Sequence, residues 1–152
     1  MIKEKIGDNH MMNKKIIYSI AILIMCLVSW VIYSLNQPPE WEGYSKNKDW
    51  KTTFKDERSL KGFWNGNLVW NGKGTVTISN VILTKNGTEV HSVDSKVELE
   101  NGQNYNYLTT TEKLENKKDE VLLMINWTDQ NGSYEEIIRL EPTLRYFVGP
   151  AF

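Results

Sequence analysis

Residues 63–76, FWNGNLVWNGKGTV, decide the fold class: short apolar runs are cut twice by Asn-Gly, at Asn65-Gly66 and Asn71-Gly72. Asn-Gly supplies the two positive-φ residues of a type I′ turn, the strongest short-range hairpin signal in a sequence. The pair recurs at Asn86-Gly87, Asn101-Gly102 and Asn131-Gly132. Five copies between apolar runs predict an antiparallel meander.

Working outward from that stretch, strands are predicted at 50–55, 60–64, 67–71, 74–84, 88–94, 96–100, 103–110, 120–128 and 133–140. Trp50, Thr52 and Phe54 share one face of the first, with Lys51, Thr53 and Lys55 on the other. That period of two is the mark of a half-buried strand. Val97 and Leu99 alternate with Glu98 and Glu100 in the same way, and Trp64, Leu68 and Trp70 share parity. Val121-Leu122-Leu123-Met124-Ile125 is apolar on both faces, which places its strand in the middle of the sheet, and Trp127 continues the face of Val121, Leu123 and Ile125. Between Val76 and Leu83 the apolar phase slips, as a β-bulge or a barrel-like bend would cause. Thr111 to Asp119 has room for one helical turn, Lys113 to Glu120 is a charged loop, and Leu144, Tyr146 and Val148 form a possible last edge strand. Many short strands with regular turn signals and no sustained helical period define an all-β domain, an antiparallel β-sandwich or small barrel.

Upstream, residues 16–35 read IIYSIAILIMCLVSWVIYSL, twenty residues with no charge, proline or glycine. At about 1.5 Å per residue such a helix spans roughly 30 Å, the hydrocarbon thickness of a bilayer. Tyr18 at one end and Trp30 and Tyr33 at the other suit the headgroup level. Lys3, Lys5, Lys14 and Lys15 precede the run, and Glu40 and Glu42 come before the first basic residue after it, Lys46. The positive-inside rule then predicts a cytoplasmic N-terminus and an extracytoplasmic C-terminal part. Met11 and Met12 are alternative starts to Met1. A cleaved signal peptide is the competing reading, with Ser34 as the best small residue near its end. A lipoprotein is the third, since Leu23-Ile24-Met25-Cys26 matches three of the four positions of a lipobox. The apolar length, Met25 before Cys26 and the Pro38-Pro39 exit favour an uncleaved single-pass anchor. The predicted organisation is a cytoplasmic tail at 1–15, the transmembrane anchor at 16–35, a linker at 36–49 and the β domain at 50–152.

The 117 residues after Leu35 contain no cysteine, and 14 basic residues stand against 17 acidic ones. No basic patch invites nucleic acid. His91 is the sole histidine beyond the anchor, so neither a zinc site nor a Ser-His-Asp arrangement through Ser92 is predicted. Asp129-Gln130-Asn131-Gly132-Ser133 with Glu135 offers oxygen ligands for calcium, but its glycine falls at the fourth place rather than the sixth, and a hairpin turn accounts for it. Asn86, Asn126 and Asn131 open N-glycosylation patterns. Seventeen acids leave a two-carboxylate hydrolase as a lesser alternative. No catalytic, metal or cofactor set is read.

Aromatic rings are the remaining signal. Trp64, Trp70, Tyr105 and Tyr107 are the candidate binding aromatics, able to stack on sugars or to fill a partner's pocket. The functional expectation is a membrane-tethered domain that binds a protein partner at the cell envelope, with a carbohydrate or cell-wall module as the alternative.

Over 41–50, WEGYSKNKDW, and on into FWNGNLVWNGKGTV, the chain resembles small membrane-anchored or lipoprotein-like surface proteins of spore-forming Gram-positive bacteria. Gly43, Ser45 and Trp50 approximate the Gly-x-Ser-x-x-Trp opening of that group, here with Ser45 and Trp50 five positions apart, a longer spacing than the pattern's three. The resemblance covers 41–93 and implies a surface β domain without an assigned reaction.

Overall fold

The computed structural model describes residues 8–57 and 61–143 together with Arg145 and Val148, with side chains placed from Lys14 onward. The chain divides into two compact units. The first is the helix α1 (Asp8–Leu35), whose 22-residue stretch Lys14–Leu35 is long and apolar enough to cross a membrane. Its apolar side chains from Ile16 to Leu35 are mostly exposed, as lipid-facing groups are. Ser34 is the exception. It is fully buried because Val148 lies on it: the Val148 N–H donates to Ser34 Oγ at 2.9 Å, and the Val148 carbonyl accepts from Trp30 Nε1 at 3.0 Å. Both backbone groups of that tail residue are thereby satisfied on the last turns of α1.

The second unit is all β. Its strands are β1 (Glu40–Tyr44), β2 (Trp50–Asp56), β3 (Trp64–Trp70), β4 (Val76–Lys85), β5 (Thr88–Leu99), β6 (Asn104–Thr110), β7 (Val121–Asp129) and β8 (Gly132–Thr143). They form one antiparallel sheet in the order β5-β4-β7-β8-β1-β2-β3-β6, which curls into a nearly closed barrel. β8 makes the curl possible. Its first part pairs with β7 as far as Leu140, and its last residues, Glu141 to Thr143, pair with β1. Pro142 sits where the strand has left β7, so its missing N–H costs no bond to that neighbour.

The core follows from alternation. Trp50, Thr52 and Phe54 of β2, Trp64, Leu68 and Trp70 of β3, and Val121, Leu123 and Ile125 of β7 all point inward and are buried. β7 is central, between β4 and β8, as its two apolar faces predict. The phase slip in β4 is a bulge at Ser79, with Ile78 opposite Trp127 and Asn80 opposite Asn126. Further bulges occur in β5 near Val90 and in β6 at Tyr107.

Several sequence expectations are corrected. Asn65-Gly66 is no turn but lies inside the single strand β3, because Trp64, Leu68 and Trp70 need one continuous inward face; residues 61–63 of the run expected at 60–64 are not in a strand, and residue 60 lies outside the described residues. Gly66 serves close packing, since a Cβ there would lie 2.5 Å from two ring carbons of Tyr107. The runs at 88–94 and 96–100 likewise merge into β5. The stretch 36–49, read as a linker, contains β1, and Trp41 is 1% exposed with its indole N–H donated to the Leu114 carbonyl at 3.0 Å. Residues 111–120 hold no helical turn and run as a loop. The edge strand at 144–148 falls largely outside the described residues, and Val148 itself is not in a strand.

Candidate recess at one end of the barrel

At the end of the barrel away from Glu40, where the chain enters the domain, three connections meet around a recess of about 540 Å³. It is lined by Asn47 and Asp49 from the β1–β2 loop, Trp70 and Lys73 from the end of β3 and the loop after it, and Trp127, Asp129, Tyr134 and Glu136 from the β7–β8 hairpin.

Each connection is fixed by short-range chemistry. In the first, Ser45 donates its N–H to the Trp50 carbonyl at 3.0 Å, while Ser45 Oγ accepts from Trp50 N at 2.9 Å and donates to Asn47 Oδ1 at 2.7 Å. Asn47 Nδ2 in turn donates to Asp49 Oδ2 at 2.5 Å. Ser45 is buried and anchors the loop, while Lys46, Asn47 and Lys48 at its tip are exposed. Gly43 just before it is held by a close approach: a Cβ would lie 2.5 Å from the Arg139 carbonyl oxygen of β8. The three positions that carry the sequence resemblance, Gly43, Ser45 and Trp50, thus serve strand packing, loop closure and the core.

The second connection is tied at both ends. Asn71 N donates to the Asp49 carbonyl at 2.6 Å, and Asn101 Nδ2 donates to the carbonyls of Asn71 and Gly72, both at 2.8 Å. The third is an Asx-type turn in which Asp129 Oδ1 accepts from Asn131 N at 2.7 Å and Gly132 N at 3.1 Å. Desolvation pushes the Asp129 carboxyl up, but these N–H groups, the Asn131 amide and the Tyr134 hydroxyl outweigh it and hold it below the usual 3.8. The Tyr134 phenol moves the other way, raised by desolvation and by the neighbouring Asp129 charge. A carboxyl so held is ionised at neutral pH and is no proton donor, the role a two-carboxylate hydrolase asks of one member. Among the described residues no three His, Cys, Asp or Glu side chains converge as metal ligands.

Four rings lead from the core to the rim. Trp50, fully buried, lies 4.7 Å from Trp70; Trp70 lies 5.3 Å from Trp127; and Trp127 stacks on Tyr134 at 4.4 Å with planes 23° apart. Tyr134 is 40% exposed and Trp127 partly so. Trp127 also carries an indole N–H that is buried without an acceptor. Such a donor costs about 1–3 kcal/mol, the sort of local expense met at binding sites.

The four aromatics predicted from sequence fare differently. Trp64 and Tyr107 are buried and form scaffold: Phe54 and Trp64 pack at 5.5 Å, and Tyr107 lies flat on Gly66 with its phenol pushed up to about 12 by burial. Tyr105 is half-buried against the core. Trp70 alone of the four reaches the recess, and only by its edge, being 3% exposed. A ring needs a free face to stack on a ligand, and inward alternation removes that face from Trp64 and Tyr107. The most open ring, Tyr134, was legible in principle: a hairpin closed between Asp129 and Gly132 sets it directly opposite Trp127, on which it stacks.

Comparison with family models, with curated proteins and with solved structures gives no match. The recess therefore has to be judged by its own chemistry.

Proposed function

We propose that the chain is a single-pass membrane protein, N-terminus inside, whose extracytoplasmic barrel binds a neutral or amino-sugar glycan in the recess. The observation that carries this reading is the stacked Trp127–Tyr134 pair at the rim of a recess lined by Asn47, Asp49, Lys73, Asp129 and Glu136. A sugar offers a C–H face to an aromatic plane and hydroxyls to carboxylates and amides, and all these groups are present within one recess of ordinary ligand size. Three carboxylates against one ammonium disfavour a polyanion such as a phosphate-linked wall polymer. The connections are already tied before a ligand arrives, which keeps the ordering cost of binding low. The anchor and the lysines before it support the location.

The full chain in nanodiscs, titrated with chitooligosaccharides and followed by tryptophan fluorescence, tests the reading. Saturable binding, weakened at least tenfold by Tyr134→Ala and absent for a polyanionic glycan, is the expected result. Binding indifferent to Tyr134, or preference for the polyanion, overturns it.

A further inference from the structure

α1 ends in a turn: Asn36 N donates to the Ile32 carbonyl at 3.3 Å, Gln37 N donates to the Ser34 carbonyl at 3.1 Å, and Pro38 follows. The side chains of Ser34 and Trp30 are left for another segment, and the tail takes both through the N–H and the carbonyl of Val148. Arg145–Gly149 accordingly belongs with α1 to one compact unit, although Pro38–Leu144 lies between them in the chain. The chain therefore leaves the helix at its end and comes back to it after β8.

Helix geometry fixes the level of that return. Ser34 stands one residue, and Trp30 five, from the end of the apolar span Lys14–Leu35, which at ~1.5 Å per residue is about 1.5 and 7.5 Å inside it. A bilayer's polar layer adds about 5–7 Å to each side of its hydrocarbon core, so these two groups straddle the boundary between acyl chains and headgroups. Non-helical backbone is costly at that depth unless its polar groups have partners. At Val148 both have one, and the residue is 8% exposed. Trp30, Ile32 and Tyr33 on the same turns stay 46%, 55% and 52% exposed, so the tail covers one side of the helix end and leaves the others for lipid.

The sequence around Val148 suits that level. Tyr146 and Phe147 directly precede it, and from Tyr146 to Phe152 there is no charged residue. Aromatic rings favour the headgroup region. By covalent reach alone both residues lie within two Cα steps of Val148, about 8 Å.

We infer that the chain around Val148 is a second membrane contact, seated by Ser34 and Trp30 against the leaflet at the Leu35 end of α1, with Tyr146 and Phe147 among the phospholipid headgroups. This contact requires α1 to span a bilayer, as proposed above, and is independent of the glycan recess. It joins the β unit to the membrane through both its ends, where the anchor alone would hold it by one.

Nitroxide accessibility on the full chain in phosphatidylcholine vesicles tests it, with oxygen as the collider that enters lipid and a neutral nickel chelate as the one that stays in water. The native Cys26, exposed in the middle of α1, reports whether the helix is in the bilayer. In a Cys26→Ala background, Phe147→Cys and Gly149→Cys place labels on either side of Val148, and Gln130→Cys in the exposed β7–β8 turn gives the aqueous reference. The expected oxygen-to-nickel ratio at 147 or 149 exceeds that at 130 by about threefold or more, as at an acyl–headgroup boundary, and falls toward it when Ser34→Ala and Trp30→Phe are combined. Ratios at both 147 and 149 equal to that at 130, with Cys26 in lipid, overturn the inference and leave the anchor standing. Cys26 reading as aqueous overturns both. A lipid ratio that the combined substitution leaves unchanged also overturns it, because the tail would then not be seated by Ser34 and Trp30.

Discussion

Replacing Gly66 by alanine tests the packing that turned a sequence turn signal into a strand. The new Cβ would stand 2.5 Å from Cε2 and Cζ of Tyr107 and 2.9 Å from its hydroxyl oxygen. Ordinary carbon contacts begin near ~3.5 Å, so the ring must retreat by about 1 Å. It has little room to do so, since Tyr107 is 4% exposed and its hydroxyl faces Thr52 Oγ1 at 3.4 Å. Overpacking of this kind costs about 1–3 kcal/mol. Alanine also restricts the unfolded chain more than glycine does, an offsetting gain of about 0.5–1 kcal/mol. The net expectation is a loss of about 1–2 kcal/mol, or roughly 4–8 °C in midpoint for a domain of this size. Urea and thermal unfolding of the detergent-solubilised chain, followed by tryptophan fluorescence, measure it. The same substitution in a Tyr107→Leu background removes most of the clash, so Gly66→Ala becomes neutral or mildly stabilising there, a coupling of about 1–3 kcal/mol. Equal costs in both backgrounds would show that the Tyr107 ring is not what excludes a side chain at 66.

Two further outcomes concern the sheet. Leu123→Ala, at a fully buried inward position, is expected to cost about 2–5 kcal/mol, whereas Ile137→Ala, 59% exposed on the outer face of β8, stays within about 0.5 kcal/mol in the same unfolding assay. The exposed pair Glu42–Lys51 on β1 and β2 is worth less than about 1 kcal/mol and fades in 1 M salt. Hydrogen bonds from Lys51 and then Tyr44 hold the Glu42 carboxyl below 4.5, so its contribution is whole above that value and is lost as pH falls through the lowered one. Lys51, raised above 10.5 chiefly by its hydrogen bond to Glu42, contributes fully below that value and loses it as pH rises through the raised one. A pH series comparing Glu42→Gln with the parent should therefore show a difference at neutral pH that closes in acid; a difference persisting at pH 2 would refute the assignment.

How far the sequence carried the fold is best judged from its turn signals. Of the five Asn-Gly pairs only Asn86-Gly87 has both residues at positive φ, 52° and 77°, and closes the β4–β5 hairpin as a type I′ turn. At Asn101-Gly102 only the glycine, at 80°, is positive, and the turn leads between strands that do not pair. Asn-Gly states what the backbone can do locally, while strand continuity is decided by which side chains must share the core. Alternation was the better guide: it placed the inward faces of β2, β3 and β7 and the bulge in β4. What it does not contain is partnership at a distance. Pairing of β1 with β8 joins residues about a hundred apart, and nothing local in Glu40 to Tyr44, a five-residue strand after two prolines, announces it except Trp41. The aromatic reading erred for the same reason. Ring count locates neither side of a sheet, and the exposed pair emerges only once β7 and β8 are set in register.

The recess and the β5–β6 seam differ in how firmly the chain holds them. Around the recess, main-chain and amide bonds cross from loop to loop: Asn71 N to the Asp49 carbonyl, Gly102 N to the Trp70 carbonyl, and Asn101 Nδ2 to two carbonyls at once. Opening that end requires breaking several of them together, so it belongs to the stable part of the barrel. Across the β5–β6 seam no ladder forms among the described residues, and His91 Nε2 meets the Tyr107 carbonyl there. Local opening should therefore start at this seam. Dense bonding around the recess and sparse bonding at the seam thus fall at different places on one sheet, so hydrogen exchange should be slower for the amides of Asn71 and Gly102 than for those of β6 that face β5.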